Sequence, residues 1–145
     1  MNKASDRRGQ SLVEFALVIP VFLIIVMGIV DFGMAVYKFN GVSQAAREIA
    51  RVTSVHPCLA ATPCTPGTSA ETAAVVAVQK GLIPGLTDPV FTCVDSSGAP
   101  VAPNPCDFSK DSVQVTVTAP YSPLTPILHL TGTWTMKGSS SAQIQ

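Results

Sequence analysis

Charge is scarce in this chain. Only 12% of its 145 residues are Asp, Glu, Lys or Arg, and nine cations balance nine anions. Such a chain lacks the polybasic field that nucleic-acid binding rests on, and its few aromatics, 6% with a single Trp, form no basic–aromatic surface. Histidine is rarer still: His56 and His129 are the only two, and neither stands in a recognisable catalytic context. There is no Gly-x-Ser-x-Gly elbow and no glycine loop fit to cradle a phosphate, so the sequence does not point to an enzyme. The four cysteines lie at gaps of five and twelve residues, which do not make two CxxC knuckles, and the histidines do not complete a zinc-finger spacing. No metal and no cofactor are expected. No internal repeat is present.

What the chain does have is one long apolar run. From Leu12 to Val30 the only ionisable residue is Glu14, over about the 20 residues needed to cross a bilayer core. Lys3, Arg7 and Arg8 outweigh Asp6 ahead of it, which places the N-terminus in the cytoplasm and the rest of the chain outside. Residues 1–9 read as a short basic leader, and residues 10–31 as a membrane-spanning helix in which Pro20 is a kink or a flexible point. A secretory signal peptide has similar flanks. Its apolar core is shorter, however, and the only small-x-small cleavage site here is Gly33-Met34-Ala35, beyond Asp31. Asp31 itself reads as a solvated charge at the membrane edge, with an ion pair to a partner subunit as the alternative.

Beyond Val30 the apolar residues Phe32, Val36, Phe39, Val42, Ala46 and Ile49 recur at three- and four-residue steps. Residues 32–55 are therefore expected to extend the same helix as an amphipathic stem. The whole helix, from about Gln10 to Ser54, would be about 65 Å long. His56-Pro57 ends it. Residues 56–137 are expected to form an α+β head. Ser69 caps a short helix over Ala70–Lys80, stopped by Gly81, and strands follow at Val90–Val94, Ser112–Thr118 and Leu128–Met136. Residues 138–145 read as a flexible tail. Cysteines on the oxidising side of a membrane are expected in disulfides. Four cysteines allow three connectivities; local pairing of Cys58 with Cys64 and of Cys93 with Cys106 is the preferred one. The fold class is thus α+β, a long N-terminal helix with a small, disulfide-stapled antiparallel-sheet head.

A carboxylate two residues into a membrane helix needs an explanation. Near the helix centre a charged side chain costs about 2.5–3.5 kcal/mol on insertion scales, and intramembrane acids are usually paired and functional. Gly9 followed by Glu14 resembles the processing site of type IV prepilins. Gly9-Gln10-Ser11-Leu12-Val13-Glu14-Phe15-Ala16-Leu17-Val18-Ile19-Pro20, then Gly28-Ile29-Val30-Asp31-Phe32-Gly33 and Ala45-Ala46-Arg47-Glu48-Ile49-Ala50-Arg51, resembles the TadE-like family, pseudopilins of the tight-adherence (Flp/Tad) pilus machinery.

The resemblance implies a pilin-like spine and cleavage between Gly9 and Gln10 by a prepilin peptidase. It implies that Glu14 meets the freed amine of Gln10, and that Glu14, Phe15, Pro20 and Asp31 serve subunit assembly. The implied partners are other pilin or pseudopilin subunits (TadF-like), an inner-membrane assembly platform and the lipid bilayer. The implied location is the bacterial inner membrane, with passage into the extracellular pilus. The alternatives are an uncleaved single-pass protein whose head is a binding module, and a secreted binding domain cut after Ala35.

Overall fold

The computed structural model describes residues 3–58, 65–101, 112–125 and 132–144, with side chains from Gly9 onward. The fold is α+β. Helix α1 (Lys3–Val55) is followed by α2 (Ala70–Leu82) and the strands β1 (Val90–Val94), β2 (Ser112–Tyr121) and β3 (Trp134–Gln143). The strands form one antiparallel sheet in the order β1-β2-β3.

Helix α1 runs uninterrupted through Pro20 and Gly41, and ends at Val55 just before His56-Pro57. It already begins at Lys3, so residues 3–9 of the segment read as a leader are helical. Helix α2 starts where Ser69 accepts from the Thr72 amide at 3.2 Å, as an N-cap does. Gly81 does not stop it. The helix runs on to Leu82, and the left-handed glycine that turns the chain is Gly85, at φ +80°.

Strand β2 alternates as its sequence requires. Val113, Val115, Val117 and Ala119 are buried, and the polar residues between them are only half covered. These side chains meet Val42, Ala45, Ala46, Ile49 and Ala50 of α1, with Leu86, Cys93 and Ile144 completing one core. The inward face of α1 differs from the expected stripe. Val42, Ala46 and Ile49 are buried as foreseen, but Phe32, Val36 and Phe39 are exposed, and alanines take their place against the sheet. Small side chains let helix and sheet approach closely, and bulky ones are left on the flanks.

The last strand departs most from the sequence reading. It begins at Trp134 rather than Leu128 and runs through the stretch read as a flexible tail, to Gln143. Ten residues of β3 pair in register with β2, and Ile144 is buried beyond them. The reason lies at Gly138. A Cβ built there would stand 2.7 Å from the Val42 carbonyl oxygen, so the strand passes α1 at a distance that only glycine permits. The expected pairings of Cys58 with Cys64 and Cys93 with Cys106 involve Cys64 and Cys106, which lie outside the described residues. Cys58 and Cys93 are not free thiols. His129, and the part of the expected last strand before Gly132, also lie outside them.

Candidate functional site

Two features of α1 concern function, and they lie end to end. The first is the bare helix. Every large apolar side chain from Leu12 to Val30 is exposed, and none of the described residues outside the helix covers this stretch. Glu14, Phe15 and Pro20 all lie on it and are exposed, Glu14 five residues past Gly9. Among the described residues nothing brings them to a partner.

The second feature begins at Asp31, where the head takes hold of the helix. Asp31 is not a solvated edge charge; it is 3% exposed. Its Oδ1 accepts from the Leu124 amide at 2.8 Å, and its Oδ2 accepts from the Thr125 amide at 2.7 Å and from the Thr125 hydroxyl. The Tyr121 hydroxyl donates to the Asp31 backbone carbonyl at 2.8 Å. A carboxylate accepting this many bonds to one loop is a fastener, since charge-assisted hydrogen bonds are about twice as strong as neutral ones. Among the described residues the ion pairs are Arg51–Glu48 and Lys80–Asp88, so Asp31 is satisfied by hydrogen bonds rather than by a cation. Burial, and then the negative charge of Asp31, push the Tyr121 phenol above its ordinary value of 10.0.

Two turns further along, Lys38 donates from Nζ to the Pro120 carbonyl oxygen. Beside it lies a groove of about 590 Å³ lined by Met34, Tyr37, Gly41, Ile83, Tyr121 and Thr133 among others. The far end of the stem is tied down by hydroxyls. Thr53 and Thr72, both fully buried, face each other at 3.2 Å; Ser69 donates to Thr72 at 2.8 Å, and the His56 carbonyl lies within reach of Thr72 at 3.4 Å. No group of three or more His, Cys, Asp or Glu stands together to hold a metal among the described residues.

Sequence reasoning found Asp31 but misjudged its surroundings, and it missed Lys38, Tyr121 and Thr125 as contacts. One signal was available. Asp31, Lys38, Val42, Ala45 and Ile49 form a single stripe at three-, four- and seven-residue steps, so the two charges continue the buried face.

The molecule is thus a helix-stalked protein, with a bare apolar stalk leading into a stem on which a small α+β head is fastened. Residues 9–51, just under a third of the chain, match the family model described as TadE-like protein, the family that the N-terminal motifs resemble. The matched segment covers the stalk and most of the stem and stops short of α2 and the sheet. No curated protein and no solved structure matches the chain. Family match and apolar helix together mark a membrane-anchored protein associated with a Tad pilus and with other components of it.

Proposed function

We propose that the protein is a structural pseudopilin of a Tad/Flp-type pilus. A prepilin peptidase removes the leader after Gly9. The helix from Gln10 to Asp31 spans the inner membrane with its N-terminus in the cytoplasm, and then packs among other pilin or TadF-like subunits in or at the base of the pilus. In this reading Glu14 pairs with the new amine of Gln10, in its own chain or a neighbour's, and so sets register. Opposite charges attract far more strongly in a low-dielectric bundle than in water, and mutual pairing avoids an uncompensated buried charge. Disulfides staple the extracytoplasmic head.

One observation carries the proposal. Head and stem share one core, yet every large apolar side chain from Leu12 to Val30 is uncovered. Such a surface requires lipid or neighbouring helices. The groove beside Lys38 favours a second reading, an uncleaved single-pass protein whose head binds a ligand. Intact mass and N-terminal sequencing of the protein from host membranes in which the peptidase is expressed separate the two. A chain beginning at Gln10 supports the pseudopilin, and one still beginning at Met1 overturns it.

A further inference from the structure

Three large apolar side chains are exposed where the head grips the helix. Phe32, directly after Asp31, is 73% exposed; Leu124 is 67% exposed and Trp134 41%. The Asp31 fastening sets their level. The Leu124 amide is bonded to Asp31 Oδ1, and the Tyr121 hydroxyl is bonded to the Asp31 carbonyl. Trp134 is the strand partner of Tyr121, with ring centroids 6.4 Å apart. Two segments some 90 to 100 residues away in sequence are thereby held at the point where the bare apolar run ends at Val30.

We infer that this collar of Phe32, Leu124 and Trp134 is a membrane-seating surface, which lays the underside of the head on the lipid headgroups before assembly. The inference rests on the membrane-spanning reading of the stalk. Three observations select lipid as the occupant. Phe32, three residues past Ile29, carries on the exposed face of the helix at Ile29 and Val30. The collar consists of one aliphatic and two aromatic side chains, the types that settle at the bilayer interface, where Trp is enriched. Its level also fits, since the interfacial zone is about 5–7 Å deep on each side of the hydrocarbon core, and Asp31 follows the apolar run directly. Tyr37, 83% exposed and about 9 Å further along the helix axis, would stand just beyond that zone.

Trp134 is the chain's only tryptophan, so its emission reports the seat directly. The test uses the full chain in vesicles of phosphatidylcholine and phosphatidylglycerol, with spin labels on the lipid headgroups or deep in the acyl chains, and with acrylamide as the aqueous quencher. A parallel variant, Trp134→Phe with Phe22→Trp, reports the spanning segment. The expected result is deep-label quenching of the Phe22→Trp reporter. Trp134 itself should show a blue shift, loss of emission to headgroup labels and little loss to acrylamide. Leu124→Gln, a change at an exposed side chain whose amide still bonds Asp31, should weaken the headgroup quenching. If Phe22→Trp is quenched at depth while Trp134 is quenched only by acrylamide, the stalk spans the bilayer but the head does not seat, and the inference fails. If Trp134 is shielded from both quenchers, protein covers the collar, and the inference fails in favour of a subunit contact. If Phe22→Trp is not quenched by lipid, the spanning reading falls and takes the seat with it.

Discussion

Gly138→Ala is the perturbation that asks most of this structure. The added Cβ would stand 2.7 Å from the Val42 carbonyl oxygen, 2.8 Å from its carbonyl carbon and 3.0 Å from the Ser43 Cα, all of them backbone atoms of a packed helix. Ordinary contact begins near 3.4 Å, so β3 and α1 must part by about 0.7 Å. A gap of about 0.5–1 Å forfeits a quarter to a half of the dispersion well along the contact. Overpacking of this kind costs about 1–3 kcal/mol. Gly138 has no positive φ, so alanine is not strained there, and its smaller freedom in the unfolded chain returns about 0.4–1 kcal/mol. The net loss is about 1–2 kcal/mol, which for a head of this size lowers the melting temperature by about 5–15 °C. Trp134, four residues earlier in the same strand, follows the transition by its emission in detergent micelles. Gly33→Ala, where an added Cβ meets open space, is the control and should not lower it. A Gly138→Ala protein that melts with the native one would refute the close helix–strand passage, and with it the assignment of the C-terminal segment to the core.

Asp31→Asn leaves one acceptor oxygen and turns an amide donor toward the Leu124 and Thr125 donors. Hydrogen exchange at those two amides should accelerate by roughly tenfold or more, and unchanged protection would dismiss the fastener. Thr72→Val removes the hydroxyl shared by Ser69, Thr53 and the His56 carbonyl, and should lower head stability by about 1–3 kcal/mol in denaturant. The double variant with Thr53→Val should lose less than the sum of the two, because they share one contact. Tyr121 is held above its ordinary 10.0, so its contribution is fully present below pH 10 and is lost as pH rises through its folded value. An alkaline transition in Trp134 emission that Tyr121→Phe does not alter would contradict the coupling of phenol, loop and helix.

Several features followed from the sequence without any tertiary information. Neutral composition and a single apolar run dictated one long helix, because hydrophobic length and three-to-four-residue periodicity are local properties of the chain. The alternation of Ser112–Thr118 produced a half-buried strand, and Ser69 opened α2, again through neighbours a few positions away. The resemblance to the TadE-like family was also legible there, since its motifs lie within the helix.

The tertiary structure decided the rest, and in each case the deciding contact is distant in sequence. Asp31 looks like a membrane-edge charge until Leu124 and Thr125, over 90 residues later, supply its donors. Phe32, Val36 and Phe39 satisfy helical periodicity as well as the alanines do, and only the closeness of the sheet selects the small side chains to be buried. The run from Gly138 to Gln143 has the composition of a linker, small and polar. It is a strand because Gly138 alone fits beneath Val42 and because β2 offers a ladder of hydrogen-bonding partners. Periodicity records what a segment can form alone, whereas burial of a charge or a glycine depends on the surface it meets.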